Sequence, residues 1–308
     1  MGIVSTAINQ VLIMFAFMLI GYILRKSGKL PDNASKVLST VLVYVCMPAI
    51  SFSTCAENLT VNNILSQGKI IFLGTIVLAI GYLVAFLLAK VFAKDAFEKR
   101  IYTYSFTIPN ITYMGLPIVG AVFGSQILFK MMMFIIPMYV FIYTKGITML
   151  SKVNRKGIKS VLLQPIILAM IAGAIIGLTG FKLPKLINNI TSTASGCMAP
   201  IAMMLTGCVI ADKSIKELLC DKKAYFASLL RLIVLPLAAL GVLLLLKVDG
   251  GIITVATITL AMPLGLNTVV FPEAYGGDGR KGAGLALISH TLAVITIPFI
   301  ISILNYVL

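Results

Sequence analysis

Tryptophan is missing from this 308-residue chain, histidine occurs once, and aspartate and glutamate together number ten. Charged residues make up 11% of the whole, against roughly 25% in a soluble domain. So little charge cannot cover a water-facing globule of this length. Catalytic chemistry is short of parts as well. The five cysteines, Cys46, Cys55, Cys197, Cys208 and Cys220, show no metal spacing with His290, so no metal site is expected. The thiols read as small packing residues. An enzyme working inside a bilayer needs a nucleophile, a metal cluster or an acid/base pair there. All ten acids fall in loops or at the ends of apolar runs, so neither an enzyme nor a cofactor is expected.

What the chain has in abundance is apolar sequence: 59% hydrophobic residues and a mean hydropathy of +1.05. About 20 apolar residues cross the hydrocarbon core of a bilayer. The runs between charge clusters predict ten spans: Val4–Leu24, Val37–Cys55, Lys69–Phe92, Ile101–Gly124, Leu128–Leu150, Val161–Thr179, Ile187–Ile210, Ala224–Lys247, Ile252–Tyr275 and Gly282–Val307. No basic residue precedes the first run and no small-residue cleavage site follows it, so it reads as a span and not as a signal peptide. The first half of the seventh, NNITSTASG, is polar for lipid contact and is expected to pack inside. The expected class is therefore an all-α integral membrane protein.

The net charge of +15 suggests a nucleic-acid partner, but its distribution argues against one. Of the 25 basic residues, 19 lie in the odd-numbered connections and five in the even-numbered ones; the last, Arg231, lies within a span. Basic residues favour the cytoplasmic side. The odd connections are then cytoplasmic, and both termini of a multi-pass protein of the cell (inner or plasma) membrane lie outside. The partner implied by the charge is the lipid bilayer.

Two spans are interrupted in the same way. TIPNITYMGLPIVGAVFG runs from Thr107 to Gly124, and TLAMPLGLNTVVFPEAYGGD from Thr259 to Asp278. Proline lacks an N–H and clashes with the preceding turn, so each stretch should unwind. Unwound backbone at membrane depth is tolerated only where it is buried in protein or lines a cavity. Matched interruptions in two halves point to a transporter binding site.

An internal repeat organises the rest. CMPAI (Cys46 to Ile50) recurs as CMAPI (Cys197 to Ile201), and AVFG ending at Gly124 as EAYG ending at Gly276. The offsets agree and map span one onto six and span five onto ten. Five spans per copy insert the second copy upside down, giving two inverted five-helix repeats, residues 1–150 and 161–308. The basic segment 151–160 is the cytoplasmic linker between them.

The run PNITYMGLP from Pro109 to Pro117, followed by AVFG, resembles the fourth-helix signature of the auxin efflux carrier family. CMPAISF, MPLGLN…EAYG and the closing GLALISHTLAVITIPFI extend the resemblance over the whole chain. The chain lacks the long cytoplasmic loop of plant members and is similar to compact prokaryotic members, often described as malate or malonate permeases. The resemblance implies ten helices with discontinuous, crossing helices 4 and 9. It implies a scaffold of helices 1, 2, 6 and 7, a transport domain of helices 3–5 and 8–10, an elevator-type shift of that domain, and a homodimer through the scaffold.

The candidate substrate-binding residues lie at the two interruptions: Asn110, Gly115 and Pro117 in the first, and Pro263, Asn267 and Thr268 in the second. Half-helix N-termini offer unpaired N–H groups and partial positive charge, which suits a carboxylate. An Asn amide both donates and accepts. Asn110, at a position that contacts substrate in the resembling family, either touches substrate or caps a broken helix, and so does Asn267. Plant members carry a proline near Thr268; here the prolines are Pro263 and Pro272, which leaves the crossing point in span nine open. The absence of a mid-span acid argues against proton/cation exchange and fits an anion. Arg231 either counters that anion or snorkels to cytoplasmic headgroups, and His290 either couples protons or packs through a hydrogen bond. Gln126, Ser51, Ser53 and Thr54 are further candidates for lining the pathway. The expected function is secondary transport of small carboxylates, such as malate, malonate or an auxin-like acid, with Na⁺ or H⁺ coupling. The alternatives are a Na⁺-coupled symporter resembling the bile-acid carriers and a channel.

Overall fold

The computed structural model describes residues 3–150, 163–212, 214 and 218–308. The predicted linker 151–160 and the first two residues of the sixth predicted span lie outside them. Every described element is helical. In chain order they are α1 (Ile3–Lys26), α2 (Ala34–Asn58), α3 (Val61–Phe92), α4 (Ala96–Thr107), α5 (Ile111–Leu150), α6 (Pro165–Thr179), α7 (Lys185–Ala211), α8 (Lys222–Leu245), α9 (Gly250–Ala261), α10 (Asn267–Ala274) and α11 (Arg280–Val307). Seven of these are long and apolar enough to cross a membrane; α6 and α9 are shorter apolar helices.

The sparse acids mark helix starts. Asp95 accepts from the amides of Phe97 and Glu98 at the head of α4, Asp221 from Lys223 and Ala224 at the head of α8, and Asp249 from Gly251 and Ile252 at the head of α9. Each satisfies amides that a helix leaves without partners. Prolines mark another local event. Wide π turns at Leu42–Cys46, Ile111–Gly115 and Leu230–Val234 each lead into an α-helix with proline in its first two positions: Pro48, Pro117 and Pro236. A proline cannot return a hydrogen bond to the turn before it, and the widened turn absorbs that loss without ending the helix.

Helix α5 runs for 40 residues, an axial length of about 60 Å, twice the roughly 30 Å hydrocarbon core. It is divided at Gly124, whose φ of 78° and ψ of −177° lie outside helical geometry. A side chain there would be strained, so glycine is required. Gly124 has a counterpart in Gly276, at φ 75°, and Gly28 (φ 73°) has one in Gly180 (φ 69°).

Glycines also set the closest helix contacts. A Cβ on Gly21 of α1 would collide with the carbonyl of Met204 on α7. A Cβ on Gly173 of α6 would collide with the carbonyl of Phe52 on α2. Backbones approach this closely in membrane helices when small residues line the seam. Thus α1 packs on α7 and α2 on α6. The polar first half of α7 departs from expectation: no residue of Lys185–Gly196 is buried. Within one chain this half lies against α2, which leaves each of its residues at least partly exposed.

Candidate functional site

Both interrupted spans break, and the breaks meet. Helix α4 ends at Thr107 and α5 starts at Ile111; α9 ends at Ala261 and α10 starts at Asn267. The two extended segments pair as an isolated antiparallel bridge between Pro109 and Leu264. The Asn110 amide donates to the carbonyl of Pro263 at 2.8 Å. In this pairing the bonds fall to the neighbours of Pro109 and Leu264, so the N–H that proline lacks is not needed. Gly265 fits against the Ile108 carbonyl with no room for a side chain. The unwound part of the first span is thus Ile108–Asn110. Gly115 and Pro117, which the sequence placed at the turn, fall in the π turn and in the first helical turn after it. Gly115 is buried, and a Cβ there would press on Met131 and Met262.

Asn110 is 1% exposed. It makes no side-chain capping bond to α5. Its Nδ2 lies 2.7 Å from Nε2 of His290 on α11, and Nδ1 of that ring faces the carbonyl of Ala286 at 2.8 Å. A carbonyl can only accept, so Nδ1 carries the proton and donates. Nε2 is then the acceptor for the Asn110 amide. This arrangement leaves Oδ1 of Asn110 buried with no donor. The ring is 2% exposed, and no acid or base among the described residues contacts it.

Asn267 has a different setting. Its Oδ1 accepts from the Tyr113 hydroxyl at 2.8 Å, and its Nδ2 donates to the Tyr104 hydroxyl at 2.7 Å. The amide links α4 and α5, on either side of the first break, to α10 beyond the second. Both of its polar atoms are engaged by tyrosines, and the cap position of α10 is held by Leu266, whose side chain caps nothing. Thr268 donates to the Gly265 carbonyl, and Gly282 of α11 packs against its backbone with no space for a Cβ. The two tyrosines were not singled out from the sequence. Their signal was their position, a few residues either side of the Pro109–Asn110 interruption in an otherwise apolar span.

Arg231 stands apart from this constellation. It does not snorkel: it is 1% exposed, and its Nη1 donates to the carbonyl of Phe106 at 2.8 Å. Phe106 lies in the last turn of α4, where carbonyls lack helical partners and a cation is favoured. Arg231 therefore secures the broken end of α4 from behind the crossing. Of the other polar candidates, Ser51 and Thr54 are buried, and Ser53 bonds back to its own helix. Among the described residues no cluster of three His, Cys, Asp or Glu gathers as a metal site would, and no Asp or Glu is fully buried.

Apolar helices in this number, two of them interrupted where buried polar side chains converge, define a multi-pass membrane transporter rather than an enzyme. Comparison with known proteins agrees. The profile of the membrane transport protein family matches residues 6–160 and 148–301, so the chain belongs to that family, the auxin efflux carriers its fourth-span signature resembles. It is 26% identical over 306 residues to an uncharacterised transporter of Methanocaldococcus jannaschii, covering 94% of this chain and 96% of that one. It is 23% identical over 296 residues to another from Methanothermobacter thermautotrophicus, with the same coverage. A third uncharacterised transporter, from Schizosaccharomyces pombe, is 30% identical over 101 residues, 33% of this chain and 22% of that one.

Proposed function

We propose that this protein is a secondary transporter of small organic anions, carboxylates of the size of malate, malonate or an auxin-like acid, and that they bind at the crossing of the two broken helices. One observation carries the reading. The backbones at Pro109 and Leu264 meet in a membrane helix bundle with Asn110, His290, Asn267, Tyr104 and Tyr113 around them and no buried acid among the described residues. A carboxylate needs donors. The second N–H of each amide and the Tyr104 hydroxyl proton supply them.

The same reading takes the chain as ten spans in two inverted five-helix repeats. The support is positional. The left-handed glycines fall as Gly28 with Gly180 and Gly124 with Gly276, each pair 152 residues apart. The Gly21–Met204 contact recurs as Gly173–Phe52 with both partners moved by the same interval. In this reading α1, α2, α6 and α7 form the scaffold, and the helices around the crossing form the moving domain. The crossing is closed to both faces, with Asn110, Thr268 and His290 at 2% exposure or less. Access then requires an elevator-like displacement of that domain. The partly covered first half of α7 is where a second copy would pack in a scaffold dimer.

Hydrogen-bond logic favours protons over Na⁺ as the coupling ion. If His290 gains a proton, Nε2 becomes a donor facing the Asn110 NH₂. The amide must then turn, giving Oδ1 to the ring and both N–H groups to the pocket. Protonation would replace the unpaired acceptor of the site with a second Asn110 N–H for the anion.

The test is charge movement by proteoliposomes on a solid-supported membrane. The panel is malate, malonate, succinate, lactate and indole acetate, each with and without Na⁺ and with an imposed pH gradient. A saturable current for one acid, absent in Asn110→Ala, is expected. That current should follow the pH gradient in the wild type and lose that dependence in His290→Gln. Equal currents in wild type and Asn110→Ala would remove the binding role from Asn110. Na⁺-dependent currents insensitive to pH would transfer the reading to a Na⁺-coupled symporter, and non-saturating flux to a channel.

A further inference from the structure

A second polar feature, which makes none of the hydrogen bonds among the crossing side chains, lies where α8 meets α3 and α9. An apolar cleft of about 360 Å³ runs between α3, α8 and α9. Arg231 is its one polar side chain; the rest of the lining is aliphatic apart from Phe106. The guanidinium spends one donor, Nη1, on the Phe106 carbonyl. Its Nε and Nη2 are buried without any partner, and no carboxylate among the described residues pairs with it. These two nitrogens lie on the same edge of the planar group and form the fork that receives a carboxylate through two parallel N–H···O bonds. An uncompensated charge in so apolar a setting is costly, so the cleft is incomplete without an anion.

The walls specify the rest of that anion. From Arg231 the cleft follows α8 past Leu235, Ala239 and Val242 to Leu246. It opens sideways where Ile80, Val242 and Leu246 are 58%, 55% and 68% exposed, on the face such helices turn to lipid. A hydrated dicarboxylate finds no second polar group there. A diacyl phospholipid does not fit either, because its phosphate stays at the membrane surface. Arg231 lies eight residues along the helix from Lys223, about 12 Å deeper. A single-chain carboxylate, with its charge at the very end of the chain, meets both demands.

We infer that the cleft between α3 and α8 is a binding site for a fatty-acid-type carboxylate taken from the bilayer, held by the Nε/Nη2 edge of Arg231 with its alkyl chain along α8. Occupancy completes the charge that holds the end of α4. This site is separate from the crossing and stands whether or not the transport reading does.

The probes are radiolabelled decanoate and 1-decanol, bound to the purified full-length protein in a non-ionic detergent and read by scintillation proximity. Saturable decanoate binding is expected, at least ten-fold tighter than decanol binding. Arg231→Gln should abolish that preference. Ala239→Phe keeps the arginine and fills the cleft, and should remove decanoate binding from a protein that still elutes as a folded species. Asn110→Ala should bind decanoate like the wild type. Equal binding of acid and alcohol would overturn the inference and reduce the cleft to a seat for lipid tails. Wild-type decanoate affinity in Ala239→Phe, or loss of binding in Asn110→Ala, would overturn it as well.

Discussion

The side chains at the crossing are arranged as a chain of hydrogen bonds in which each substitution has a foreseeable effect. Asn267 is held at both ends, by the Tyr113 hydroxyl on its oxygen and the Tyr104 hydroxyl on its nitrogen. Tyr113→Phe removes the donor and strands a buried carbonyl oxygen. Such a loss costs about 1–3 kcal/mol in a soluble core and roughly 0.6–1.7 kcal/mol between membrane helices. The chain has no tryptophan, so unfolding is best followed by a thiol-reactive dye reporting the exposure of the buried Cys46, Cys55 and Cys208. A melting temperature lowered by a few degrees is expected for Tyr113→Phe; one indistinguishable from wild type would mean that the bond contributes nothing. The sequence made Asn110 and Asn267 legible because a polar amide close to proline is conspicuous in an apolar run and costly to bury without a partner. It hid the tyrosines, since a tyrosine in a membrane span is ordinary and only the crossing brings Tyr104 and Tyr113 to one amide. It also left Arg231 open between two roles, because the deciding partner, the Phe106 carbonyl, belongs to backbone that no side-chain pattern reveals.

Among the helices, what holds pairs together is backbone proximity more than side-chain interlock. Gly21 meets the Met204 carbonyl and Gly173 meets the Phe52 carbonyl with no room for a methyl group. An alanine at either position forces the backbones apart, and overpacking of this kind costs about 1–3 kcal/mol. Gly68 on α3 has nothing within 4 Å of a Cβ, and alanine there should be neutral or slightly stabilising, since alanine favours helix over glycine by about 1 kcal/mol. The dye-monitored melt should show Gly21→Ala and Gly173→Ala destabilised to similar extents and Gly68→Ala with no loss. Unequal losses at the first two would count against their being equivalent contacts of a repeat. The sequence pattern located the helix breaks because proline and glycine act locally. It misjudged the first half of α7, which it placed inside. Hydropathy reports that NNITSTASG avoids lipid, but not which surface it seeks instead, and within one chain α2 covers it only in part.

At the level of the molecule, the charge pattern and the count of spans make a joint statement about sidedness. The acids and bases of the cytoplasmic reading gather physically. Lys281 pairs with Asp221 at 2.7 Å and with Glu98 at 3.5 Å, tying the starts of α4, α8 and α11 at one end of the bundle. Burial disfavours the Asp221 carboxylate, but the Lys281 hydrogen bond and charge, with two backbone amides, outweigh it and hold the group below its ordinary range. The connection before α3 lies on the opposite face in this reading, because five spans separate it from the connection before α8. Cys220 is exposed and reports the first of these faces; Asn62, exposed at the start of α3, reports the other when changed to cysteine. In a Cys197→Ala background, a membrane-impermeant maleimide should label Cys220 only in inverted vesicles. With Cys220→Ser and Asn62→Cys it should label only right-side-out cells. The reverse result would invert the orientation and leave the span count intact. Labelling of both positions from one side would require an even number of crossings between residues 62 and 220, and no arrangement of two inverted five-helix repeats survives that outcome.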